Sequence, residues 1–286
     1  MNAPAQLSMP DPLLDDLEAS GTHRFTGPEG RRISWRTWGA GKPLVFLHGG
    51  SGSWKHWVRQ IGAFAGDRLV VVPDLPGYGL SDQPAEPIRF IEMGRDLAAG
   101  LDEILGGPLE YDLVAFSYGG SITAQLLAVQ PGRQSSVVLC AAAGFATPQL
   151  PPMKKVRGLE GDALVDTHRF NLGSIMIADP GRIDPLALRI QHENTMQSRL
   201  RAMKLDRGLT LVDTLPGFTG RICAIWGTED AFMKARPPSE RGRALREMRP
   251  DAEVHMLDGI GHWLAYEAPD QVNAILSEFL AKEATS

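Results

Sequence analysis

Short, continuously apolar runs alternate along this chain with longer stretches in which apolar side chains recur every three or four positions. RRISWRTWG (31–39) alternates apolar with polar residues and predicts a strand with one covered face. PLVFLHG (43–49) and DRLVVVPDL (67–75) are apolar almost throughout, as strands covered on both faces are, and YDLVAFS (111–117), QSSVVLCAAA (134–143), RICAIWG (221–227) and AEVHMLDG (252–259) also read as strands. Between them, WKHWVRQIGAF (54–64), FIEMGRDLAAGLDEIL (90–105), YGGSITAQLLAVQ (118–130) and PDQVNAILSEFLA (269–281) carry helical spacing. The second of these meets a stop at Gly106-Gly107. Strand–helix alternation of this kind predicts an α/β fold built on a mostly parallel, doubly wound sheet.

The alternation breaks off between residues 145 and 216. That stretch reads as helical or irregular, is rich in Met and Arg, and is punctuated by PQLPP and DPGRIDP. It predicts a helical cap inserted after about the sixth strand, between two parts of one core (21–144 and 217–286). The first twenty residues, acidic and interrupted by proline, read as a poorly ordered, solvated arm.

Composition narrows the function classes. A chain of 286 residues with 43% hydrophobic and 22% charged residues can bury one large core. A net charge of −5 gives no reason to expect nucleic-acid binding. Cys140 and Cys223 lie in separate apolar runs without metal-ligand spacing, so they read as buried, reduced thiols and not as metal ligands. The N-terminal segment lacks the basic start and apolar core of a signal peptide, and no run reaches the roughly 18 apolar residues of a membrane helix. The expectation is a soluble cytoplasmic protein with a small-molecule substrate and no membrane partner; assembly into homo-oligomers is left open.

The chemistry concentrates where predicted strands end. In LVAFSYGGSIT (113–123) a strand runs into Ser117 and a helix starts straight after it, with small residues, Ala115 and Gly119, two places to either side. A nucleophile projecting from a tight strand-to-helix turn needs that small-x-Ser-x-small spacing. The competing reading is a serine that merely caps the helix. A serine hydroxyl needs a base, and His262, in the loop DGIGHWLAYEAPDQV after the last strand, stands at the same sheet edge. His255 lies within a strand, and His23, His56, His168 and His192 have no reason to face the serine. Asp230, in WGTEDAF, also follows a strand and can orient the histidine; Glu229 would point elsewhere, and Asp258 is near His262 only in sequence. The order Ser117, Asp230, His262 predicts a nucleophile–acid–base triad. The backbone N–H groups of Tyr118 and of Gly50, in LHGGSGSW, are the expected oxyanion donors.

With LHGG, DLPGYGLSD, AFSYGG, WGTED and GHW in this order, the chain resembles the α/β-hydrolase family over about residues 23–283. The resemblance implies an eight-stranded, mostly parallel sheet flanked by helices, a cap over the active site and no cofactor. Serine rather than aspartate at the elbow argues against the haloalkane dehalogenase and epoxide hydrolase branches. GHW with the downstream Glu267 is also similar to hydrolases that cleave carbon–carbon bonds in meta-ring-fission products; that branch has Asn before the nucleophile, and this chain has Phe116.

The reading is therefore a serine hydrolase acting on a small or medium carboxylic ester. The alternatives are a C–C bond hydrolase, or a lyase, perhydrolase or ligand receptor on the same fold. Phe116, Trp54 and Trp263 adjoin the catalytic loops and are candidates to line an apolar pocket, with plain core packing as the other reading. The stretch 145–207 holds ten Lys/Arg against seven Asp/Glu. Its arginines (157, 169, 182, 189, 199, 201 and 207) either face solvent or include one that pairs with a substrate carboxylate. Arg189 is the candidate, on what reads as the longest cap helix, ALRIQHENTMQSRLRAM.

Overall fold

The computed structural model describes residues 10–145, 151–200, 206–233 and 238–282. Eight strands form one sheet: β1 (Thr22–Thr26), β2 (Ile33–Trp38), β3 (Lys42–Leu47), β4 (Arg68–Pro73), β5 (Tyr111–Phe116), β6 (Gln134–Cys140), β7 (Arg221–Gly227) and β8 (Glu253–Leu257). Their order is β1-β2-β4-β3-β5-β6-β7-β8. Pairing is antiparallel at β1–β2 and β2–β4 and parallel from β4 onward. The apolar runs explain this arrangement, for every residue of β5 is buried, as a central strand covered on both faces must be. β1 was not foreseen, because four of its five residues are exposed and it lacks the apolar signature of the inner strands. It is an edge strand held by backbone pairing.

The helices differ from expectation at the N-terminus. Residues 12–20, assigned from sequence to a poorly ordered arm, form α1 (Pro12–Ser20). Asp11 caps it, accepting from Leu14 N–H at 3.3 Å, and Pro12 occupies the first turn, where a missing N–H costs nothing. Leu14 and Leu17 are buried, Leu17 O accepts from the Trp38 indole at 3.0 Å, and Asp15 pairs with Arg189 at 2.8 Å. The first nine residues of the expected arm lie outside the described residues. α1 packs on α2 (Val58–Phe64), which also meets the last helix, Pro269–Ala281, while α3 (Phe90–Leu105) packs on α4 (Tyr118–Val129). α3 ends as expected at Gly106, left-handed at φ 74°.

After β6 the chain leaves the sheet and returns at β7. This interval holds α5 (Gly161–Ile175) and α6 (Pro185–Gln197), which pack on each other. α5, not α6, is the longer, because Ser198 is already extended and ends α6; residues 201–205 of the expected helix lie outside the described ones. Among the described residues no helix is long and apolar enough to cross a membrane.

The docking of α1 is testable. Leu14 is fully buried, so Leu14→Ala should cost about 2–4 kcal/mol of unfolding free energy in urea denaturation; a loss below about 0.5 kcal/mol would mean that α1 is not part of the folded core.

Candidate active site

Parallel strands bring their carboxyl ends to one edge, and each candidate catalytic residue follows such an end. Ser117 follows β5 with φ 49° and ψ −116°, a left-handed conformation that costs a non-glycine residue on the order of 1–3 kcal/mol. Surrounding bonds hold it there: Ser117 N–H donates to Cys140 O at 3.1 Å, and Ser117 O accepts from Gly120 N–H at 2.9 Å and Ala143 N–H at 2.8 Å. The small residues have a steric cause. A Cβ on Gly119 would sit 2.7 Å from Leu47 O, and one on Gly120 would sit 2.4 Å from Ala143 O.

The three residues read from sequence as a triad come together. The Ser117 hydroxyl lies 2.9 Å from His262 Nε2, and His262 Nδ1 lies 2.8 Å from Asp230 Oδ2. With the ring proton on Nδ1, His262 donates to Asp230 and accepts from Ser117, which is the arrangement a general base needs. Asp230 Oδ1 in turn accepts from Phe232 N–H at 2.9 Å. Both Asp230 and His262 are buried, and the rings of Phe232 and Phe116 lie 4.4 and 5.0 Å from the imidazole. Asp258, the rejected alternative, accepts instead from Thr228 Oγ1 at 3.2 Å in an exposed turn.

The serine opens onto a cavity of about 560 Å³. Gly50 and Tyr118 both line it, and a Cβ built on Gly50 would lie 3.7 Å from that of Tyr118, so the two expected oxyanion donors share one wall. Two histidines fix the peptide before Gly50. His48 Nε2 accepts from Leu75 N–H at 2.8 Å, so Nδ1 carries the proton and donates to Gly49 O at 2.7 Å. His56 Nδ1 accepts from Gly49 N–H at 3.2 Å. Burial pushes the His48 pKa down to about 4 and that of His56 well below its usual value, keeping both rings neutral. Among the described residues no cluster of three or more His, Cys, Asp or Glu could hold a metal ion. Cys140 and Cys223 are buried and unpaired, with burial holding both thiols protonated.

Residues 44–275 match the model of the alpha/beta hydrolase family. The chain belongs to that family. It is 27% identical to a 2-hydroxy-6-oxo-6-phenylhexa-2,4-dienoate hydrolase of Burkholderia cepacia, over 94% of this chain and 99% of that protein. Among solved structures, a carboxylesterase of Bacillus subtilis superposes with a TM-score of 0.75 at 17% identity, covering 94% of each chain. An esterase of a Rhodococcus species gives 0.72 at 20% identity, over 93% of this chain and all of the other. At these identities the structural matches show the shared fold.

In this alpha/beta hydrolase the substrate-contact expectations fare unevenly. Phe116 lines the cavity, but Trp54 and Trp263 do not. Trp54 is buried under the Arg36 guanidinium, 5.0 Å from its ring, and Trp263 stacks on Tyr266 at 4.3 Å and donates to His56 O at 3.0 Å. Aromatic rings next to a site loop are here drawn into the core by their size. Arg189 also misses the cavity, since it is clamped between Asp15 of α1 and Glu193 of its own helix, at 2.8 and 2.9 Å. Sequence spacing overlooked His56, which lines the cavity with Tyr78, Phe90, Phe232 and, from the stretch between β6 and β7, Asn171, Ile175, Met176 and Gln191. A histidine in a short helical run carries no local sign of that role.

The buried neutral histidines fix the sign of a pH effect. Their folded pKa values lie below the unfolded value near 6.5, so between about pH 6.5 and 4 the unfolded chain binds more protons and stability falls on acidification. At about 1.4 kcal/mol per unit, His48 alone should contribute on the order of 3 kcal/mol that is complete above pH 6.5 and gone near pH 4. Urea denaturation across that window should give a shallower slope for His48→Asn than for wild type; equal slopes would contradict a buried neutral His48.

Proposed function

We propose that this chain is a serine hydrolase that cleaves a small or medium carboxylic ester or related acyl compound. The observation that carries the reading is the unbroken hydrogen-bond chain Ser117–His262–Asp230 at the floor of the cavity. Ser117 Oγ attacks the acyl carbon as its proton passes to His262 Nε2. Asp230 holds the imidazolium that forms, and the N–H groups of Gly50 and Tyr118 receive the oxyanion. Tyr118 is the first residue of α4, so its N–H is one of the donors a helix leaves free, at the positive end of the helix dipole. His262 then protonates the departing alkoxide, and the acyl group remains on Ser117. A water that gives its proton to His262 hydrolyses the acyl-enzyme and restores the serine.

The walls favour a substrate with apolar parts, since Phe90, Phe116, Phe145, Ile175, Leu200 and Phe232 contribute to them. C–C bond cleavage of a ring-fission product is the second reading, favoured by the names of the relatives at 26–27% identity. A carbon leaving group departs only after proton delivery to carbon, which asks for polar groups beside the nucleophile. At the position preceding Ser117 this chain offers the Phe116 ring, packed on His262 and His56 at 5.0 and 5.4 Å, and that supports the ester reading.

The reading is tested by pairing variants with two kinds of substrate. Wild type should hydrolyse 4-nitrophenyl esters in a chain-length-dependent way and leave a yellow ring-fission dienolate unbleached; the reverse result would replace the ester reading with C–C cleavage. Ser117→Ala should retain less than about a thousandth of kcat, and Asp230→Asn should lose roughly 10⁴-fold through the wrong imidazole tautomer. Near-normal activity in Ser117→Ala would remove the nucleophile assignment.

A further inference from the structure

Arg207 is the one side chain among the described cavity residues that carries a permanent charge; the wall otherwise contains aromatic and aliphatic groups, neutral amides, hydroxyls and the two histidines. Its backbone is fixed from both sides. Phe90 N–H donates to Asp206 O at 2.9 Å and Asp206 N–H to Ile88 O at 3.0 Å. The fully buried Gln125 of α4 donates to Leu209 O at 2.6 Å and Arg207 O at 3.4 Å, and accepts from Leu209 N–H at 3.3 Å. The guanidinium lies close enough to Tyr118 to favour its phenolate, although burial dominates and holds that phenol protonated.

The nearby carboxylate is otherwise engaged. Asp206 turns back on its own loop, accepting from Gly208 N–H at 3.1 Å. Among the described residues no carboxylate pairs with Arg207, in contrast to Arg189 with its two partners. An exposed guanidinium whose backbone is held on both sides and which has no carboxylate partner among the described residues, at the wall of a largely apolar cavity, offers a planar anion bidentate geometry.

We propose that Arg207 anchors a carboxylate on the substrate, so that the compound cleaved is the ester of an acid or alcohol that also bears a free carboxylate. This rests on the acyl-transfer reading of the same cavity. It also moves the anionic contact expected at Arg189 to a different arginine of the segment.

The test uses 4-nitrophenyl hydrogen suberate and its methyl-capped neutral counterpart, 4-nitrophenyl methyl suberate, together with calorimetric binding of suberate itself. Wild type should favour the acidic ester in kcat/KM by about 10- to 100-fold, the range of a charge-assisted contact. Arg207→Gln should abolish that preference mainly through KM, leave the neutral ester within about twofold, and weaken suberate binding by a similar factor; Arg207→Lys should keep part of it, and Arg189→Gln should keep all of it. Equal turnover of the two esters by wild type, or an equal loss on both in Arg207→Gln, would overturn the anchor while leaving the ester reading intact. Suberate binding that depends on Arg207 without turnover of either ester would overturn the ester reading and leave the anchor.

Discussion

The left-handed backbone at Ser117 is the constraint on which the rest of the molecule depends. A β-strand that ran on normally past Phe116 would lay the next side chain along the sheet face, among the groups that cover it. With φ at 49° the chain instead turns within one residue, lifts the hydroxyl clear of the sheet edge and starts a helix whose first N–H faces the same space. Such a conformation survives only where neighbours over-determine it. The parallel partners β3 and β6 supply that, with Leu47 and Leu139 paired across Ala115, Cys140 O accepting from Ser117 N–H, and Leu47 O approaching so closely that Gly119 has no room for a side chain. The strain, the glycines and the central place of β5 in the sheet are one requirement seen at three scales.

A buried polar framework extends that requirement beyond the serine. His48 and His56 grip the Gly49 peptide on its two sides, and each ring keeps the tautomer it needs because burial keeps it neutral. On the opposite flank Glu267, itself buried, accepts from Gly261 N–H at 2.8 Å, just before His262, and from Ala178 and Asp179 N–H at 3.1 and 2.8 Å beyond α5. Trp263 N–H also donates to Met176 O at 2.6 Å. The loop that carries His262 is thereby bonded to the chain just beyond α5, where Ile175 and Met176 line the cavity. Leaving Glu267 unpaired in the interior would be costly, which makes this coupling a condition of folding as well as of site geometry.

The parts legible in the sequence are those with a short-range cause. Continuous apolar runs mark strands covered on both faces, and a residue just after a parallel strand is forced to the carboxyl edge of the sheet, so the meeting of Ser117, Asp230 and His262 could be expected from the sequence. α1 was misread because acidic residues and prolines resemble a solvated arm; what docks it is Leu14 and Leu17 together with Arg189, a partner 174 residues away from Asp15 in the chain. Trp54 and Trp263 share a loop neighbourhood with the site, yet large rings beside a cavity can turn to either side, and here core contacts win. The same limit applies among the arginines. Nothing local separates Arg189 from Arg207, and only the third dimension shows that one meets two carboxylates while the other meets none among the described residues.

That difference gives α4 a second role. Tyr118, the first residue of the helix, presents the N–H assigned to the oxyanion, and Gln125, seven residues on, grips the strip of chain that carries Arg207. At 1.5 Å per residue the helix sets these two attachment points roughly 10 Å apart along its axis. A helix of this length, with eight of its twelve residues buried, is a stiff body, so the Ser117 end and the Gln125 end cannot adjust to one another independently. On the proposed reading, the spacing between scissile carbonyl and carboxylate in a good substrate is therefore fixed by the backbone of α4, and flexibility remains only in the arginine side chain. Chain-length preference among acidic esters would then be sharper than among neutral ones, because a neutral chain can slide along an apolar wall while a carboxylate held by Arg207 cannot.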